Sequence, residues 1–168
     1  MKNKEKAEPL EALNDAIIIR KQVTKVLRVI ALQKLKEQMK FDEKLANTKD
    51  EFEAEKIVEE SNNKVFEYDL IKKDFDIVIK CSQEITGNLR SANTIWPEYM
   101  NEFTARRVFM DKAMGACWKL LDELQYIAEE VYADKNKFSA LGLKINKLFQ
   151  KIKKIRQADN RFLPDLKG

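Results

Sequence analysis

Ala16, Ile19, Val23, Val26 and Ile30 recur at alternating three- and four-residue spacing, the repeat of one face of a helix. The stripe predicts a first helix over about Leu10 to Leu45, shifting past residue 30 onto Leu32, Leu35 and Met39. Within it, "AIIIRKQVTKV" is rich in β-branched residues, which leaves extended chain as an alternative there. From Asn47 to Asn63 apolar positions thin to Phe52, Ile57 and Val58. That stretch reads either as a loop or as a solvated extension of helix, with "ESNNK" marking a break.

The pattern resumes at Lys64. Tyr68, Ile71, Phe75, Val78, Ser82, Ile85 and Leu89, with Cys81 alongside, predict a second helix to about Leu89. Gly87 and Asn88 suit its C-terminus, and Pro97 suits the first turn of the next helix. A third helix over Pro97 to Tyr132 follows from Met110, Met114, Cys117, Leu121, Leu124, Ala128 and Val131. Ala113, Leu120 and Ile127 widen that stripe to the breadth a bundle needs, and Gly115 and Ala116 would allow a close helix contact. After the turn "ADKNK", Phe138, Leu141, Ile145, Leu148, Ile152 and Ile155 predict a fourth helix. The expected fold is an all-α four-helix bundle. Its long, partly polar N-terminal helix and acidic connecting segment span 1–63, and the bundle core spans 64–168, in one domain overall.

Composition supports this. Four glycines and three prolines among 168 residues are too few for the turns of a multi-stranded β protein. The chain has no histidine, which removes the commonest general base and metal ligand. Its two cysteines, Cys81 and Cys117, lie on apolar stripes and read as small hydrophobes rather than a disulfide framework. Asp69, Asp74 and Asp76 do not share one inward face, and no glycine-rich phosphate loop or nucleophile–base pair is present. A catalytic role, a metal and a cofactor are therefore not expected. The charged start "MKNKEKAEPLEALND" has no apolar signal-peptide core, and no window reaches the length of a membrane span. The cytoplasm is the expected location.

Charge changes the picture more. Residues 42–60 hold three basic and eight acidic side chains, whereas residues 135–168 hold ten basic and two acidic. On the fourth helix Lys137, Lys144 and Lys151 share one heptad position and Lys147 and Lys154 another, about 40° away. Those lysines form a rail beside the core stripe, flanked by Lys153 and Arg156. Such a rail can follow a phosphate backbone and release its condensed counterions. The alternative is a solvated face whose lysine stems cover apolar surface. A protein partner, or the acidic 42–60 segment folding back, is another. On the first helix Lys21, Lys25 and Arg28 share a face, in a stretch that also holds Arg20, Lys34, Lys36 and Lys40.

"RQADNRFLPD" sets Arg156, Asn160 and Arg161 beside Phe162, groups able to hold phosphate and stack a base. A helix end capped by Asn160, with Phe162 and Leu163 folded onto the bundle, is the favoured reading. Arg106 and Arg107 are expected to pair locally with Glu102 and Asp111. Trp118 is expected in packing and Trp96 at the surface.

From "FTARRVFMDKAMGACWKLLDELQYIAEEVYADKNKF" through "KIKKIRQADNRF", roughly residues 103–162, the chain resembles the four-helix-bundle accessory variability proteins of diversity-generating retroelements. The resemblance lies in an arginine-led apolar helix, "LLDELQYI", a short turn and a basic final helix. It implies a basic, homo-oligomeric bundle that binds a reverse transcriptase and RNA or DNA. The first sixty residues depart from the compact form of that family. A helical scaffold that binds an acidic protein partner is the competing expectation.

Overall fold

A computed structural model describes residues 11–130 and 135–168. Four α-helices follow one another: α1 (Glu11–Asn47), α2 (Glu51–Thr94), α3 (Met100–Glu130) and α4 (Lys135–Ala158), with a 3-10 helix over Asp159–Asp165. The packed pairs are α1–α2, α2–α3, α3–α4 and α1–α4. The helices therefore run up, down, up and down around one core, as short connections require. The protein is an all-α four-helix bundle, as the periodicity predicts.

Most predicted stripe positions are in the core, while Val26, Tyr68, Met114, Leu121, Ala128 and Ile155 are half-buried and pack against it. Ile19, Val23 and Ile30 of α1, Val78, Ile85 and Leu89 of α2, Leu120 and Ile127 of α3, and Ile145, Leu148 and Ile152 of α4 are all buried. Gly142 of α4 lies against α3, where an added Cβ would meet Leu121 Cδ2 at 3.6 Å; Gly115 has open space instead and makes no close contact.

Three boundaries differ from expectation. Only residues 48–50 separate α1 from α2, and "ESNNK" lies inside continuous helix, so the solvated extension of helix is the form residues 51–63 take. The break comes earlier because Asp50 caps the new helix, accepting the Phe52 amide at 3.2 Å with Glu51 and Glu53 in the first turn. At the other end α2 runs past Gly87 and Asn88 to Thr94. Leu89 and Ala92 are fully buried, and apolar burial there outweighs the roughly 1 kcal/mol helix penalty of a glycine. Third, α3 starts at Met100 rather than Pro97, because Glu102 reaches back to accept the amides of Glu98 (2.8 Å) and Tyr99 (3.1 Å). The expected third turn falls partly on 131–134, outside the described residues.

α1 and α2 outrun the rest of the bundle. Between Ile30 and Ile71 no residue is buried. The two helices continue there as a hairpin arm, joined by Gln38 donating to Ser61 Oγ at 3.0 Å. Leu32, Leu35 and Met39, expected to carry the core stripe onward, are 52%, 57% and 62% exposed.

At the opposite end one arginine closes the bundle. Arg106 and Asp159 are both nearly inaccessible. Arg106 Nε donates to Asp159 Oδ2 at 2.7 Å, and its Nη1 donates to the carbonyls of Ala92 (2.8 Å) and Ile95 (2.9 Å). It thereby supplements the Ile95 amide on the Ala92 carbonyl and gives the Ile95 carbonyl, just past the end of α2, a donor. The expected local pairing of Arg106 with Glu102 or Asp111 does not form, because Glu102 caps α3 and Asp111 pairs with Arg156. The chain then straps across this end. Trp96 and Phe162 meet edge to face at 5.0 Å, and Lys167 exchanges backbone hydrogen bonds with Glu98 and Met100.

Removing one partner of a buried ion pair strands the other in a medium that solvates it poorly. Arg106→Leu should therefore destabilise the protein by about 3–5 kcal/mol in urea denaturation. Adding Asp159→Leu should return part of that loss, the remainder being the carbonyls of Ala92 and Ile95.

Candidate nucleic-acid interface

Lys151, at the middle of the predicted rail, is the one lysine there that the fold uses directly. Its ammonium lies 2.9 Å from Glu11 Oε1 and 2.5 Å from Asp15 Oδ2, tying α4 to the first turns of α1. The hydrogen bonds from Asp15 and Glu11 push its pKa above the usual 10.5. Lys151 is therefore a strut between helices rather than a free phosphate contact, which corrects its place in the rail. Sequence could not show this, since the acids lie 140 and 136 positions away.

Lys137, Lys144, Lys147 and Lys154 are all exposed, on the flank of α4 that carries Lys151 and so faces the α1 side. Among the described residues no hydrogen bond or ion pair holds their ammonium groups. Core packing by Phe138, Leu141, Ile145, Leu148 and Ile152 fixes the helix that carries them. The lysine spacing thus becomes a spatial array on a rigid element. Exposed Leu143 stands among them.

Lys21, Lys25 and Arg28 are exposed on α1, the neighbour of α4 in the ring. Sequence alone could not say whether the two helices are neighbours; the helix order answers that they are. The helices run antiparallel and Asp15 sits beside Lys151, so each seven-residue step brings Gln22 towards Lys144 and Val29 towards Lys137. From residue 16 to 36 α1 has six basic and no acidic side chains, and from 135 to 158 α4 has eight basic and none acidic. Two helices without a carboxylate over these spans therefore stand side by side. The acids of the chain gather elsewhere, on the first half of α2 and on α3. The polarity lies across the bundle, which a net charge of +4 conceals.

The remaining candidates divide. Arg156, expected to flank the rail, turns to α3, where Nη2 donates to Asp111 Oδ2 at 3.0 Å. Its Nε lies 2.5 Å from Oδ1, off hydrogen-bonding alignment. Arg107 donates to Asn160 Oδ1 at 2.7 Å, not to a local acid, so Asn160 serves as an acceptor within the 3-10 helix rather than as a left-handed cap. Arg161 is exposed with its guanidinium 5.0 Å from the Phe162 ring centre, at the strap end of the molecule. Phe162 folds against Trp96 as the cap reading expects, whereas Leu163 stays exposed. Trp118, expected in packing, is 56% exposed and touches Phe149 edge to face. Lying one position from Cys117 turns a side chain about 100° around the helix. Cys81 and Cys117 are buried free thiols, and burial pushes the Cys117 pKa up to about 12.

Among the described residues no group of three histidine, cysteine or acidic side chains could hold a metal ion. No helix among them is long and apolar enough to cross a membrane. No family model, curated protein or solved structure matches the chain.

A lysine whose pKa is raised on folding stabilises the fold below its ordinary value of 10.5 and ceases to do so as pH climbs through the raised value. Lys151→Met should therefore lower the denaturation midpoint at neutral pH. It should also remove the part of the alkaline fall in stability, above pH 10.5, that the Lys151 strut contributes.

Proposed function

We propose that the protein is a non-enzymatic nucleic-acid-binding accessory protein that holds the phosphate backbone of RNA or DNA along the α1–α4 face. The observation that carries the reading is the adjacency of α1 and α4, each without a carboxylate between residues 16 and 36 and between 135 and 158. Lys137, Lys144, Lys147 and Lys154 are the principal contacts. Lys21, Lys25 and Arg28 border them and strengthen the field that draws a polyanion in. Exposed Ile18, Val29 and Leu143 interleave the basic positions and give base or sugar surface something to rest on.

The contacts are to phosphate, so the reading implies little sequence preference. It supports a role beside a larger nucleic-acid enzyme, such as a reverse transcriptase, for which this chain would position template or product. The location that goes with this role is the cytoplasm. Oligomeric assembly, also expected from sequence, is taken up below.

Fluorescence anisotropy with labelled single-stranded and duplex RNA and DNA tests the reading. Affinity should fall steeply with salt, with a log–log slope of about −3 to −4 if four lysines each neutralise a phosphate. Lys144→Glu, Lys147→Glu and Lys154→Glu together should abolish binding at moderate salt and leave the helical circular dichroism unchanged. Binding that is insensitive to salt, or that survives the triple reversal, would sink it.

A further inference from the structure

The outward face of α1 carries a second stripe that the bundle leaves uncovered. Lys21, Lys25, Arg28, Leu32, Leu35, Met39, Asp42 and Ala46 follow one another at steps of 4, 3, 4, 3, 4, 3 and 4 residues. That is a heptad seam, on the opposite side of the helix from buried Ile19, Val23, Leu27 and Ile30. Every member of the seam is exposed.

Its order along the helix is what identifies an occupant. Three cations come first, then three large apolar side chains, then Asp42 with Glu43 one position on. Charge of one sign at one end and of the other sign at the far end, with an apolar middle, is self-complementary under a twofold rotation. We infer that the partner of this face is a second copy of the chain, bound antiparallel along α1 with the twofold axis between Leu32 and Leu35.

In that arrangement Leu35 rests on the partner's Leu32, and Asp42 meets the partner's Lys25. Glu43 comes within reach of the partner's Arg28, which itself covers the partner-facing side of Met39. Because the interface is isologous, each contact occurs twice. Val65, 43% exposed on the neighbouring α2, widens the apolar centre, since it and Leu35 line one groove between the two helices. The acids of the first half of α2, among them Glu51 and Glu55, extend the negative end over the basic stretch of the other copy. The dimer also gives the arm what the single chain withholds, since helices of this kind draw most of their stability from a packed apolar face.

This inference does not rest on the nucleic-acid reading. It withdraws Lys25 and Arg28 from direct phosphate contact and leaves the α4 lysines open on both copies. Reversing the α4 lysines should therefore change RNA affinity and leave the mass of the nucleic-acid-free chain alone, whereas Leu35→Asp with Met39→Asp should change the mass.

Sedimentation equilibrium of the full chain, freed of nucleic acid by nuclease and high salt and returned to low salt, tests it. The expected mass at micromolar concentration is about 39 kDa, twice the 19.7 kDa chain. Leu35→Asp with Met39→Asp should give a folded monomer. Lys25→Glu with Arg28→Glu should weaken the dimer by about tenfold or more, as should Asp42→Lys with Glu43→Lys, because repulsion replaces attraction at every one of these pairs. Combining all four reversals should restore the affinity. A chain that stays monomeric at the highest soluble concentration overturns the inference. So does a dimer indifferent to the aspartates at 35 and 39, or a fourfold reversal no tighter than either pair alone.

Discussion

Arg106 holds three segments of the chain with one guanidinium: α3, from which it projects, the last carbonyls of α2, and Asp159 just beyond α4. The rest of the bundle's open end depends on that convergence. The α2–α3 connection can leave its helix without stranded carbonyls. The 3-10 helix is fixed where Phe162 can meet Trp96, and the terminal strap can reach Glu98 and Met100. A buried ion pair adds little net stability compared with apolar groups of the same shape. What it contributes here is a junction, because its four hydrogen bonds run to the end of α2 and to Asp159 at once.

The fourth helix illustrates the opposite bargain. Like charges at i,i+4 cost a few tenths of a kcal/mol, and α4 sets Lys147 and Lys151 at that spacing, with Lys144 and Lys147, Lys151 and Lys154, and Lys153 and Arg156 three apart, and no acid between residues 135 and 158. Its five buried side chains carry the helix regardless. Among the described residues only Lys151, through Glu11 and Asp15, and Arg156, through Asp111, are neutralised across helices. Where one level of a sequence opposes another in this way, the conflict tends to mark a place kept for a reason other than stability.

The core was legible in the sequence, and the reason is periodicity: Val78 to Leu89, Met110 to Ile127 and Phe138 to Ile152 are buried along the stripes their spacing draws. Periodicity fails where a stripe is regular but nothing packs on it. Leu32, Leu35 and Met39 continue a helical pattern and yet stay exposed, since pattern reports a face and not its neighbour. Long-range polar pairs were invisible for the same reason. Arg106 had local acids at helix spacing and chose one 53 positions away, and Lys151 found acids near the other end of the chain. The lysine spacing on α4 was readable, whereas the adjacency of α4 to α1 needed the ring order of the helices.

The 44 residues of α2 run without a proline or a change of helix type from the tip of the arm to the carbonyls held by Arg106. At 1.5 Å per residue that is a rod of about 66 Å, of which nearly half overhangs the core. A rod with no hinge acts as a lever. A tilt of about 10° where α2 leaves the bundle swings its tip by about 5 Å, given an overhang of about 30 Å. Load at the tip is in turn delivered to the seat at the far end, so the two ends of the molecule are mechanically in series.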